Sequence, residues 1–123
     1  MVRLGKTSRA LGNHGEDLAV AELEAQSLHI IERNWRCQHG EIDVVAYDEE
    51  EELLVFVEVK TKSGPGFGAP LEAITHGKAR RLYQLAHLWR REHKAYLPFR
   101  VDGIGVEFGS GEPIVTHLKA IEA

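Results

Sequence analysis

The segment from Leu53 to Lys60 places the strongest constraint on the fold. Its first five residues are all aliphatic or aromatic, a pattern that predicts a strand buried on both faces. Glu58 and Lys60 then enter the same pattern, and because strand side chains alternate, both charges share a face with Leu54 and Phe56. Charges at the end of a buried strand cost free energy unless they pair or bind something. An ordinary Glu–Lys pair, formed where the strand reaches water, is the commoner explanation of an isolated Glu-x-Lys.

The preceding segment, Gly40 to Ala46, predicts a second strand that carries a carboxylate. Its alternation assigns one apolar face to Ile42, Val44 and Ala46 and places Asp43 on the other face. Aspartate is disfavoured within strands. The acidic run from residue 48 to residue 52 predicts a hairpin turn, which makes the two strands antiparallel neighbours. We therefore expect Asp43 to lie across from the Glu58–Lys60 region, although a polar residue near a turn is the simpler explanation of Asp43 alone.

Two carboxylates and a lysine at one sheet edge would suit a hard divalent cation such as Mg²⁺. A third carboxylate, Glu16, lies on a mostly apolar stripe of the first predicted helix. Such a glutamate is unusual unless it faces a polar site. The helix dipole, which favours acidic residues in the first turn, explains Glu16 equally well.

The net charge of −4 conceals a division along the chain. By segment, the charge is +3 for residues 1–15, −11 for 16–59, +7 for 60–100 and −3 for 101–123. The +7 segment contains a helix whose one face carries Arg80, Gln84, His87, Arg91 and Lys94, with Lys78, Arg81 and Arg90 beside it. Such a face can follow a phosphate backbone. It can equally be the solvated side of an amphipathic helix.

Length and composition indicate one domain. A chain of 123 residues with 43% hydrophobic and 28% charged residues resembles an ordinary globular protein. Its single cysteine excludes an intrachain disulfide, and no apolar run is long enough to span a membrane. We expect a cytoplasmic protein of one domain over residues 1–123, with residues 1–8 as a flexible basic arm.

The predicted order of elements is helix, three strands, helix and two strands, a mixed α/β domain. The helices are predicted over Ser8–Leu28 and Thr75–Leu97, the second ended by Pro98. Between the third strand and the second helix, Ser63–Pro70 is rich in glycine and proline and is predicted to be a loop.

Several short motifs together resemble the YraN family of small bacterial proteins, over about Gly12 to Val106. They are Gly15-Glu16, Arg33-Asn34, Gly40-Glu41-Ile42-Asp43, Val55 to Lys60, Pro70 to Ala73, and Lys78. The resemblance implies a restriction-endonuclease-like αβββαβ core. The sequence is also similar to archaeal Holliday-junction resolvases, in which a helix glutamate, an aspartate and a Glu-x-Lys surround the metal. Carried across, these residues are Glu16, Asp43, Glu58 and Lys60, with Lys62 as the basic residue that follows. Two departures are Ile42, where the broader nuclease signature has proline, and the glycine-rich final strand around Gly103 and Gly105.

The resulting hypothesis is a DNA endonuclease that depends on Mg²⁺ or Mn²⁺. Asp43 and Glu58 would bind the metal, with the Val59 carbonyl as a third ligand and Glu16 as a direct or water-mediated ligand. Lys60 would orient the attacking water or stabilise the phosphorane. The flanking phosphates would contact a basic set: Lys62, Lys78, Arg80, Arg81 and Arg91.

The resemblance favours branched DNA as the substrate. The 63–70 loop would fold over the substrate or serve as a simple connector. A homodimer would suit such a two-armed substrate. Two alternatives remain at this point: a non-catalytic nucleic-acid-binding module of the same fold, and a domain whose basic segment meets an acidic protein partner.

Overall fold

The computed structural model describes residues 4–64, 76–109 and 111–122. In chain order the elements are α1 (Leu4–Ala25), β1 (His29–Cys37), β2 (Gly40–Asp48), β3 (Leu53–Ser63), α2 (His76–His93), β4 (Phe99–Phe108) and β5 (Ile114–Leu118). The strands form one sheet in the order β1-β2-β3-β4-β5. The β3–β4 pair is parallel and the other neighbours are antiparallel. The predicted α/β class, the order of elements and the β2–β3 hairpin are confirmed.

The sheet separates two hydrophobic cores, and alternation along β3 assigns residues to them. Leu54 and Phe56 pack in the core that includes α2. Val55 and Val57 pack in the core that includes α1. This two-sided burial explains the apolar run of β3, because a strand covered on both faces needs apolar side chains at every position.

All five predicted strands are present, whereas both helices end earlier than predicted. Helix α1 ends at Ala25, because Ser27 takes a left-handed φ of 66° and the Leu28 amide donates to the Leu23 carbonyl at 3.0 Å. Helix α2 ends at His93, because Lys94 takes a φ of 51°. The end of α2 is therefore a left-handed helix cap, and the prediction that Pro98 ends this helix was wrong.

Part of the predicted basic arm is helical. Residues 4–8 belong to the first turns of α1, and no proline interrupts them. Residues 1–3 lie outside the described part of the chain. So do residues 65–75, which include most of the predicted 63–70 loop, the Pro70–Ala73 motif and the predicted start of the second helix at Thr75. Within the described ranges, neither helix is long and apolar enough to cross a membrane.

Helix α1 lies against β3 at a contact that only glycine permits. A Cβ atom added at Gly15 would lie 2.2 Å from the Thr61 Oγ1 atom, whereas one added at Gly12 would meet nothing within 4 Å. Gly15 therefore sets the distance between α1 and the strand that carries Glu58 and Lys60.

We expect Gly15→Ala to lower the free energy of unfolding by about 1–3 kcal/mol, since the helix or Thr61 must move. Gly12→Ala, in the same helix, should raise it by roughly 0.5–1 kcal/mol through helix propensity. Urea denaturation of both variants tests this pair. Equal effects of the same sign would contradict the close packing at Gly15.

Candidate active site

Strands β1 and β2 lose their regular alternation at the same level of the sheet. Asn34 takes a left-handed φ of 55°, a conformation that asparagine tolerates better than most residues. On the neighbouring strand β2, Ile42 packs in the core that includes α2, whereas Val44 packs in the core that includes α1. The predicted single face of Ile42, Val44 and Ala46 was therefore wrong at Ile42, and Asp43 lies where the strand changes face.

At this level β2 also separates from β3. The antiparallel register of this pair ends at Val44 and Val57. One residue further, the Asp43 side chain takes over as acceptor, and its Oδ2 atom receives the Val59 backbone N–H at 2.7 Å. The Asp43 carboxylate thus lies between the two strands, beside Glu58, as predicted from the hairpin.

The position of Asp43 has a large electrostatic consequence. Burial, reinforced by the negative charge of Glu58, raises the pKa of Asp43 to about 7, although the Val59 N–H bond acts in the opposite direction. The fold therefore holds two carboxylates close together at a cost in free energy. Such an arrangement is relieved by a proton or by a cation.

Lys60 adds one positive charge to this pair. Its Nζ atom lies 3.1 Å from the Glu58 Oε1 atom, and both side chains are about three-quarters buried. Burial disfavours the charged amine, but the hydrogen bond and charge of Glu58 outweigh it, so the pKa of Lys60 is raised. Lys78 of α2 lies within hydrogen-bonding reach of Lys60, and that bond and charge lower the pKa of Lys78.

The acidic pair opens into a cleft between the sheet and α2. The cleft has a volume of about 680 Å³ and is lined by Gly40, Glu41, Asp43, Glu58, Lys78, Arg81, Leu82 and Leu85. Its acidic groups come from the sheet and its basic groups from the helix. An anion that reaches the carboxylates from the solvent would therefore pass the α2 cations.

Glu16 lies near this cleft but is held by other partners. Its Oε1 atom accepts hydrogen bonds from Arg33 Nε and Asn34 Nδ2, both at 3.0 Å. Its charge nevertheless contributes to the raised pKa of Asp43. Both bonds come from the segment where β1 changes face, which gives a physical reason for the Arg33-Asn34 motif. The sequence alone indicated no role for that motif.

The predicted basic face lies on the outside of α2. Lys78, Arg80, Arg81 and Arg91 are exposed, and Lys62 near the end of β3 is half-buried. Lys78 and Arg81 reach the cleft, while Arg80 and Arg91 are not among its lining residues. The structure therefore joins part of the predicted phosphate-binding set to the acidic pair.

The carboxylates do not form a preassembled cage. In the ranges that the structure describes, no group of three or more His, Cys, Asp or Glu residues is arranged to hold a metal ion. Asp43 and Glu58 offer hard oxygen atoms from two carboxylates. This donor set fits Mg²⁺, which commonly keeps several waters and takes one or two carboxylates together with substrate phosphates.

A second buried polar cluster lies on the α1 side of the sheet, and sequence reasoning missed it. Asp102 of β4 is fully buried. Its carboxylate accepts hydrogen bonds from Arg100 Nε at 3.1 and 3.2 Å, His117 Nε2 at 2.8 Å and the Ala120 amide at 2.9 Å. Arg100 also reaches Asp48 at 3.1 Å. The available signal was an aspartate between Val101 and Gly103 within a predicted strand, which resembles the signal at Asp43.

Comparison with known proteins shows the family of the chain. The model of "Uncharacterised protein family UPF0102", which is the YraN family, matches residues 15–106. The chain belongs to this family. Among UPF0102 relatives, the chain is 48% identical over 118 residues to a UPF0102 protein of Pseudarthrobacter chlorophenolicus, covering 94% of this chain and 88% of the relative. It is 46% identical over 117 residues to one of Mycobacterium marinum, covering 94% and 96%.

The family match has a clear structural counterpart. It begins at Gly15, beside Glu16, and ends at Val106 in β4. The matched UPF0102 region thus contains the acidic pair, Lys60 and the whole of α2. The family resemblance inferred from the motifs is confirmed.

Proposed function

We propose that this UPF0102 protein is a metal-dependent endonuclease that hydrolyses phosphodiester bonds in DNA. The observation that carries the proposal is the pair Asp43–Glu58, held between separating strands with Lys60 bonded to Glu58. A buried pair of like charges is costly to maintain. A carboxylate with a strongly shifted pKa in a cleft, as at Asp43, is common at functional sites.

The metal would be held by Asp43 and Glu58, with the backbone carbonyl of Val59 as a further ligand. A bound Mg²⁺ or Mn²⁺ supplies a more acidic water and neutralises charge on the phosphate. The Val59 N–H bond fixes the Asp43 carboxylate, so that this ligand needs little reorganisation. Glu16, fixed by Arg33 and Asn34, adds negative potential near Asp43 and favours a cation there.

Lys60 would serve the reacting phosphate. Its ammonium is fixed by Glu58 and is a compact positive charge, suited to orienting the attacking water and to stabilising charge on the phosphorane. Lys78 and Arg81 would bind phosphate oxygens from the opposite wall of the cleft, while Arg80, Arg91 and Lys62 contact the flanking backbone. The family resemblance favours branched DNA over other substrates.

The proposal predicts cleavage that requires both metal and the acidic pair. Glu58→Gln and Lys60→Ala should each lower the cleavage rate by about 100-fold or more, since each removes several kcal/mol of transition-state stabilisation. The measurement is the initial rate of cleavage of linear and four-way-junction DNA with Mg²⁺, Mn²⁺ or EDTA. Glu49→Gln, in the exposed acidic turn, and Lys119→Ala, near the carboxyl end, are the charge-matched controls.

Two outcomes would contradict the proposed activity. One is cleavage that persists in EDTA. The other is a Glu58→Gln or Lys60→Ala variant as active as the controls. Salt-dependent DNA binding without cleavage under any metal would instead favour the non-catalytic module.

A further inference from the structure

Three depressions follow one another along the exposed side of α2. The cleft of the acidic pair is the first. The second has a volume of about 510 Å³ and is lined by His39, Arg81, Gln84, Leu85, His87 and Leu88. The third, of about 360 Å³, is lined by His87, Leu88, Arg90, Arg91 and Tyr96.

Neighbouring depressions adjoin one another. Arg81 lines both the first and the second, and His87 lines both the second and the third. We refer to the three adjoining depressions together as the α2 trough. From Lys78 to Arg91 the helix rises about 20 Å, enough for a chain of several nucleotides rather than a single small ligand.

The trough alternates groups that suit phosphates with groups that suit bases. Arg81 and Arg91 are exposed cations. Leu85 and Leu88 give the middle depression an apolar floor. Tyr96, at the far end, is 67% exposed, so its side chain contributes little to the core and is accessible to a partner.

Two neighbouring side chains hold the ring of His87 before any ligand binds. It lies edge-on to Phe99, with a centroid separation of 5.2 Å, and its Nδ1 atom lies 3.2 Å from Arg90 Nη1. Arg90 itself stacks over Phe99 at 5.0 Å. Arg90 therefore acts mainly to position the His87 ring. A base that stacked on His87 would bind a ring that is already held in place, so little conformational entropy would be lost.

We propose that α2 binds a single-stranded nucleic-acid segment that runs from the acidic cleft to Tyr96. Base faces are accessible for stacking in an unpaired strand, whereas a duplex offers a protein surface mainly its phosphates and groove edges. A trough with an apolar floor and an exposed aromatic ring therefore matches single strands better than duplex. This deepens the proposed function, because it implies that the strand entering the cleft is unpaired on the α2 side.

The test measures binding of a fluorescent thymidine oligonucleotide of about twelve nucleotides. Binding is monitored by fluorescence anisotropy in EDTA, so that metal-dependent cleavage cannot interfere. Wild-type protein should bind this strand more tightly than a duplex of equal length. Tyr96→Ala should weaken single-strand binding roughly tenfold, as expected for loss of one stacked base. Tyr96→Phe should bind like wild type. Ile114→Ala, which removes an exposed apolar side chain on β5, is the control and should change nothing.

The salt dependence gives an independent readout. Arg91→Ala should reduce the slope of log affinity against log salt by about 0.7, the value for one phosphate contact on a single strand. Tighter binding of duplex, or a Tyr96→Ala variant equal to wild type, would overturn the proposal. So would displacement of the oligonucleotide by an acidic peptide but not by unlabelled single strand.

Failure of this proposal is distinguishable from failure of the proposed activity. Metal-dependent cleavage with no effect of Tyr96→Ala on binding would reject the α2 path and leave the nuclease intact. Preferential single-strand binding that depends on Tyr96, without cleavage under any metal, would keep the path and reject the nuclease.

Discussion

Asp43→Asn is expected to abolish cleavage and, at the same time, to stabilise the metal-free protein. Asparagine keeps an oxygen that can accept the Val59 N–H bond, but it carries no charge beside Glu58. The proposed cleavage should fall by about 100-fold or more, because one of the two proposed carboxylate ligands is lost. In EDTA at about pH 8, the free energy of unfolding should rise by roughly 2–4 kcal/mol.

The direction of this effect follows from proton binding. The pKa of Asp43 is about 7 in the folded protein against an ordinary 3.8. Between these two values the folded state binds more protons than the unfolded state, so wild-type stability falls as the pH rises through this window. Asp43→Asn cannot ionise. Its advantage should therefore be full above about pH 7 and absent below about pH 4.

Urea denaturation of both proteins at several pH values in EDTA measures this difference. Added Mg²⁺ should then stabilise wild type but not Asp43→Asn, because a ligand stabilises only the state that binds it. A variant that is less stable than wild type above pH 7, or one that gains equally from Mg²⁺, would show that Asp43 carries neither the repulsion nor the metal.

Removing the Asp102 carboxylate is expected to cause the largest loss of stability. Asp102→Ala removes the buried acceptor of Arg100 Nε and of the Ala120 amide, leaves Arg100 with its bond to Asp48, and breaks the bond to His117. Breaking a buried charged network of this kind typically costs about 3–5 kcal/mol. Asp102→Asn, which keeps the shape and one acceptor, should lose less, roughly 1–3 kcal/mol.

The comparison for Asp102 is a surface ion pair in the same protein. Asp17 lies 2.7 Å from Arg33 but its side chain is 61% exposed, so Asp17→Ala should cost less than about 1 kcal/mol. Chemical denaturation of the three variants measures their free energies of unfolding and ranks the three losses of stability. If Asp102→Ala lowered the free energy of unfolding no more than Asp17→Ala does, the buried network around Asp102 would not stabilise the fold.

Much of the fold could be predicted because its signals are local. The apolar run of β3, the acidic turn and the antiparallel partner strand follow from alternation and from hairpin chemistry, and the proximity of Asp43 to Glu58 follows from them in turn. The helix ends were harder to predict. Left-handed residues at Ser27 and Lys94 ended the helices, where the sequence offered only a weak signal or a later proline.

The sequence by itself determined the strand pattern, the hairpin and therefore the residues that share the sheet edge, since these depend on a period of two and on neighbouring turns. Only the tertiary structure decided how those residues are used. The left-handed Asn34, the separation of β2 from β3 and the capture of Glu16 by Arg33 and Asn34 arise from packing between elements far apart in the chain. The same holds for the burial of Asp102, because the free energy of a charged side chain depends on the partners that the whole fold places around it.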